Sequence, residues 1–283
     1  MVRADGSTHP VQALREAVTS LEAAMLMCLA RPRKEAIHRL RTSTRRIEAQ
    51  LELLSMLPDL PQQGEQKQYA ARLLKKLRQA AGEVRDIDVQ RNLIRDEAAG
   101  KSGAHGPNPQ IRDQIGGEAR SLNRELKRKR DEQANHLVRL LVRLRVELPL
   151  VFEKLLDTLK PAEATTLTEA ELIALVRKWY ARRPQSQPTA PAAQDVVELH
   201  NIRKRAKLAR YLAESAPQAA VAARRLAAQF EELQQAGGQW HDWLLLSKVA
   251  AQELGDSAKL TQRFAMRAAR SLRAFRRRLS YKI

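Results

Sequence analysis

Two histidines open two rows of cations. His38, Arg41 and Arg45 stand at offsets 0, 3 and 7, and His200, Arg203, Lys207 and Arg210 stand at offsets 0, 3, 7 and 10. Each residue turns an α-helix by about 100°, so either set falls along one side of a helix. Arg gives planar, charge-assisted hydrogen bonds to phosphate oxygens, Lys gives a point charge, and protonated His becomes a good donor. The chemistry these residues can do is capture of anions. One residue before each row runs an apolar stripe: Ile37, Leu40, Thr44, Ile47, Leu51 and Leu54 in the first, Leu199, Ile202, Ala206 and Ala209 in the second. Both helices thus share one design, a core-facing stripe with cations on its flank.

The repetition extends further. Gly82, Arg85 and Asp86 of "GEVRD" match Gly238, His241 and Asp242 of "GQWHD". Arg78 shares a face with Gly82 and Arg85. Arg120, Arg124, Lys127 and Arg130 lie at offsets 0, 4, 7 and 10, and Arg263, Arg267, Arg270 and Arg273 repeat those offsets. From Arg263 to Lys282 there are eight basic residues and no acidic one. Few acids stand where they would pair the second histidine row or these two later rows. In the first histidine row, Glu48 takes the place matching Arg210. Asp86 and Asp242 are read as acids that orient neighbouring cations by charged hydrogen bonds. Asp88 faces Leu244 in the repeat, which argues against a duplicated metal site. His9, His105 and His136 match nothing and are read as incidental.

Catalysis finds no foothold in the sequence. The six histidines show no His-x-x-x-His spacing, and the single cysteine, Cys28, cannot build a zinc site. There is no glycine-rich phosphate loop and no Gly-x-Ser-x-Gly. The expectation is a protein that binds, without metal, cofactor or catalytic residues.

The elements that carry these rows are helices. Ala, Leu, Arg, Glu and Gln dominate, and no alternating strand pattern is visible. At 43% hydrophobic residues, the 283-residue chain can form a sizeable core. Punctuation predicts helices at Val11–Ala30, Lys34–Leu57, about Gln66–Ala99 and about Gln110–Glu147. Pro149 should end or kink the last, with a short helix to Leu159. The loop "GKSGAHGPNP" separates the third and fourth. The order then restarts with Thr168–Arg183, Ala193–Ala213, Pro217–Glu253 and Asp256–Ser280. A flexible linker is expected at about 184–194. The expected fold is all-α, with two groups of four helices suggesting two bundles, a first half at 11–160 and a second at 165–283.

Net charge is +19, which favours polyanionic partners. The lone cysteine makes no internal disulfide. The apolar run at 23–30 is too short to span a bilayer, and no signal-type segment opens the chain. These features predict a cytoplasmic protein without a transmembrane segment.

"IHRLRTSTRRIEAQLELL", "GEVRDIDV", "LHNIRKRAKLARYLAE" and "GGQWHD" resemble the CHAD domain, the conserved histidine α-helical domain. The resemblance runs from about Val11 to Leu279 and treats residues 1–283 as a single such domain. It implies two four-helix bundles related by a pseudo-twofold axis around a basic central pore or groove that binds inorganic polyphosphate. The chain leaves no length for the triphosphate-tunnel (CYTH) domain that often accompanies it. By position, the resemblance assigns ligand roles to His38, Arg41 and Arg45, and to His200, Arg203, Lys207 and Arg210. Arg85 with Asp86, and His241 with Asp242, take the Arg-Asp motif. Glu48 and Leu208 depart from the family pattern, since each stands at a commonly basic position. Association with polyphosphate or polyhydroxyalkanoate granules is a further implication.

Polyphosphate carries charge on every unit and has no bases, so its binder needs many donors and no stacking rings. Aromatics are only 4% of this chain, which suits that ligand better than nucleic acid. Sulfate or phosphate should act as mimics. Phosphate contact should raise the histidine pKa, so affinity should grow as pH falls toward about 6. The alternative is a basic helical protein that binds nucleic acid non-specifically. An enzyme metabolising polyphosphate ranks behind both.

Overall fold

Strong helix formers and clean punctuation give eight α-helices among the described residues. The computed structural model describes residues 7–58, 60, 64–99, 109–182 and 191–279. In chain order the helices are α1 Pro10–Ala30, α2 Lys34–Met56, α3 Gly64–Ala98, α4 Pro109–Thr158, α5 Glu169–Ala181, α6 Pro191–Ala213, α7 Val221–Leu254 and α8 Lys259–Leu279. A 3-10 turn spans Lys160–Ala162. Among the described residues the only β-type pairing is a bridge between Thr8 and Leu167. The fold is all-α. Most of the "GKSGAHGPNP" loop, His105 and Lys282 lie outside the described residues.

The structure bears on two expectations about boundaries. Pro149 does not end the fourth helix, because α4 runs through it for 50 residues. Proline in a helix interior costs about 3 kcal/mol or more. Leu141, Leu144, Leu148, Phe152 and Leu155 are all at most 1% exposed, and they continue one stripe across the proline. Each such side chain gains about 1.5–3 kcal/mol on burial, so the stripe outweighs the break. The second is the linker expected at about 184–194, of which 184–190 lie outside the described residues. Its last residues are helical, since α6 starts at Pro191. Proline suits a first helical turn, where its missing N–H has no partner to lose.

The chain groups into two compact units. One combines Met1–Ala81 with Leu137–Gln234, and the other combines Gly82–His136 with Gln235–Lys282. Each unit draws on both halves of the sequence, and α3, α4 and α7 contribute residues to both.

In the first unit α1 packs on α2, and α2 packs on α6. The apolar stripe of α2 is buried throughout, Thr44 included, and Leu199, Ala206 and Ala209 of α6 are buried while Ile202 is half-exposed. The small side chains of Ala206 and Ala209 allow close approach of the two helices. The Gln50 amide donates to Ser215 Oγ at 2.6 Å beside that contact. Thr168 starts α5 with a capping box: its Oγ1 accepts from Glu171 N–H at 3.3 Å, and Glu171 Oε2 accepts from Thr168 N–H at 2.8 Å. Arg205 of α6 donates to the carbonyls of Trp179 and Tyr180, satisfying the open end of α5.

The second unit has its own core, which includes Ile94, Leu122, Leu126, Trp243, Leu246, Leu260 and Phe264. The Trp243 and Phe264 rings stand 5.7 Å apart. Gly255 closes α7 with a φ of 85°, a left-handed value that favours glycine. Its N–H donates to Ala251 O at 3.0 Å. Glu118 then receives the start of α8, accepting from Lys259 N–H at 3.3 Å and Leu260 N–H at 2.8 Å. A carboxylate there satisfies orphan donors and the helix dipole together.

Candidate anion-binding site

The two histidine rows lie on α2 and α6, which pack against each other inside the first unit. Burying the apolar stripes of both helices leaves their flanking cations beside the contact. Arg41 and Arg45 come from α2, Arg203 and Lys204 from α6, and Arg78 joins them from α3. Each lies near enough to at least one of the others for their charges to interact. Burial, followed by the positive charges of Arg45 and Arg41, pushes the Arg78 guanidinium down to about 10. Burial, then Arg203 and Arg45, lowers Lys204. Arg45 itself is lowered by burial, against the opposing effect of Tyr211 from α6. His200 is lowered by burial and then by Arg203 and Lys204. Neighbouring cations that depress one another favour an incoming anion.

An acid, Glu48, belongs to this cluster. Glu48 Oε2 accepts from Arg45 Nη1 at 2.9 Å, and its Oε1 pairs with Arg78. The matching position on α6 is Arg210, which pairs with Glu214 at 2.6 Å and Glu231 at 2.9 Å. Burial opposes the charge on Arg210, but the two carboxylates outweigh it and raise its pKa. On both helices, then, the place ten residues after the histidine is neutralised internally. His38 is exposed near the start of α2, while His200 and Lys207 are half-buried.

Lys204 was not singled out by sequence. It lies four residues after His200, so it shares the histidine's face, but the 0-3-7-10 spacing passes over it. Among the described residues no carboxylate pairs with it.

The second unit holds a different arrangement. Arg85 Nη1 donates to Asp86 Oδ1 at 3.2 Å and to Asp242 Oδ1 at 3.3 Å. Burial disfavours its charge, yet Asp242 and Asp86 hold its pKa above the ordinary value. His241 is half-buried one residue before Asp242. A Cβ added at Gly238 would meet nothing within 4 Å, so no close helix contact demands that glycine.

The expectation that acids are scarce around the later rows is corrected here. Arg130 Nε donates to Asp88 at 2.9 Å. Arg263 and Arg267 both reach Glu97, at 3.7 and 3.1 Å, and Glu97 is 6% exposed. Glu97 and Asp88 belong to α3, so no intrahelical spacing reveals them. On α6 the signal was present, since Glu214 lies four residues after Arg210. Arg120, Arg124, Lys127, Arg270 and Arg273 are exposed cations on α4 and α8.

Among the described residues no group of three or more His, Cys, Asp or Glu side chains is arranged to hold a metal ion. No helix among them is long and apolar enough to cross a membrane.

No curated protein matches this sequence. Solved structures share its fold. PptA from Streptomyces chartreusis is 16% identical with a TM-score of 0.63, covering 96% of this chain and 98% of that one. The CHAD domain from the plant Ricinus communis is 15% identical with a TM-score of 0.60, covering 98% and 94%. The family model described as CHAD domain matches residues 12–251, well over half the chain. The protein therefore belongs to the CHAD domain family.

Proposed function

We propose that this protein binds inorganic polyphosphate without chemically altering it, through cations carried by α2, α3 and α6. The observation that carries this reading is the clustering of Arg41, Arg78, Arg203 and Lys204 near Arg45, with Glu48 bridging Arg45 and Arg78. Phosphate oxygens would offset the burial and the repulsion that together lower Arg78 and Lys204. His38, His200, Lys207 and Arg210 extend the binding rows in this proposal. Arg85, Arg120, Arg124, Lys127, His241, Arg263, Arg267, Arg270 and Arg273 are proposed as secondary contacts in the other unit, with Asp86 and Asp242 orienting Arg85. A cytoplasmic location and attachment to phosphate-rich granules belong to the same proposal.

A nucleic-acid ligand is less well supported. Arg205 lies over both Trp179 and Tyr180, at 5.3 and 5.7 Å from the ring centroids, so these rings already have a cationic partner. Single-strand binding relies on stacking platforms.

The test is competition at physiological salt. Long-chain polyphosphate should displace labelled RNA from the protein, while RNA should not displace polyphosphate. Arg45→Ala combined with Lys204→Ala should weaken polyphosphate binding by about a hundredfold, with unchanged helical circular dichroism. Preferential RNA retention would favour the alternative ligand. Phosphate release from the polymer, with or without a divalent metal, would overturn the non-catalytic reading.

A further inference from the structure

Glu48 breaks the cationic pattern of its own row, and its geometry suggests why. Both carboxylate oxygens are used separately, one on Arg45 and the other on Arg78. Glu48, Arg45 and Arg78 have side chains 20%, 22% and 19% exposed, so the pairs are neither solvated nor sealed. Two anionic oxygens bridging two guanidinium groups occupy the place that two oxygens of one phosphate would take. Glu48 meets Arg45 and Arg78 directly, and Arg41, Arg203 and Lys204 lie near those two guanidinium groups.

We propose that Glu48 is a resident counter-ion, holding the phosphate-oxygen positions of Arg45 and Arg78 until a polyanion displaces it, and so setting a threshold that single phosphate ions fail to cross. This rests on the anion-binding reading of the same cluster. A tethered carboxylate competes at an effective concentration of millimolar or higher. A lone phosphate meets that competition with few other contacts. A polymer brings neighbouring units onto Arg203, Lys204 and His200, and those contacts offset the displacement. In the empty protein Glu48 also screens cations that would otherwise repel one another.

The experiment compares wild type, Glu48→Gln and a control, Glu163→Gln. The control removes one carboxylate and its ion pair with Arg15, away from the cluster in the same unit. Binding of orthophosphate and of long-chain polyphosphate is measured by calorimetry, and ligand-induced shifts in Tm are read alongside. Glu48→Gln should bind both ligands about ten- to a hundredfold more tightly. It should gain thermal stability from millimolar orthophosphate that leaves wild type unchanged. Glu163→Gln should behave as wild type. If Glu48→Gln fails to fold, Glu48→Asp keeps the charge with a shorter reach and should show a smaller gain of the same sign. Unchanged or weaker binding in the Glu48 variants would overturn the counter-ion role, as would an equal gain in Glu163→Gln. Wild type that binds polyphosphate in such a result would leave the anion-binding reading standing. Wild type that binds no phosphate of any length would overturn both.

Discussion

His200 shows how one residue can report the ligand. Its imidazole is lowered from the ordinary 6.5 by burial, Arg203 and Lys204. In the empty protein this opposes protonation. Since the unfolded chain binds that proton more readily, this residue's contribution to stability is present above 6.5 and declines as pH falls below it. A bound phosphate reverses the local charge and favours the imidazolium. Binding then takes up a proton, so affinity should rise as pH falls through the histidine range and level off below the depressed free-state pKa. Polyphosphate titrations across that range should show the rise, and His200→Gln should flatten it by about the contribution of one proton. A flat wild-type profile would remove His200 from the ligand set. Arg78 makes the complementary point: even pushed down to about 10, it stays charged at neutral pH, so pH acts on the cluster through histidine.

Helix identity and approximate extent were readable from residue types alone. Ile37, Leu40, Thr44, Ile47, Leu51 and Leu54 predicted the buried side of α2, and all are buried. Thr168 and Glu171 supply the capping-box signature that begins α5. Pro149 does not end α4, because long-range packing outweighs the local rule there. Phe152 and Leu155, on the far side of the proline, are at most 1% exposed and keep the helix going. Replacing Pro149 with Ala should therefore stabilise the protein by up to about 3 kcal/mol, through a restored N–H and better propensity. A chemical denaturation midpoint lower than that of wild type would show instead that α4 needs the proline's geometry.

At the scale of the whole molecule, a net charge of +19 must be tolerated by the empty protein. Acids placed at key positions contribute to this: Glu48 on Arg45 and Arg78, Glu97 on Arg263 and Arg267, Asp88 on Arg130, and Glu214 and Glu231 on Arg210. The cations that remain set the salt dependence of binding. Taking about five phosphate contacts at about 0.9 counterion each, affinity should fall roughly 500-fold between about 50 and 200 mM salt. Arg45→Ala should make the log–log slope shallower by about one. A slope near zero would mean that contacts other than ion pairs dominate.

The sequence by itself determined the all-α class, the buried stripes and the paired histidine rows, because helical period and propensity are local properties. It also exposed Glu48 as a departure in one row, by offset alone, while Glu214, four residues after Arg210, was passed over. Tertiary structure decided which cations meet and which are cancelled. Arg78 joins Arg41 and Arg45 from another helix, Lys204 enters the cluster, and Glu97 reaches Arg263 and Arg267 across a gap of well over a hundred residues. Electrostatic energy depends on distance in space, and spacing along one helix measures that distance only within the helix.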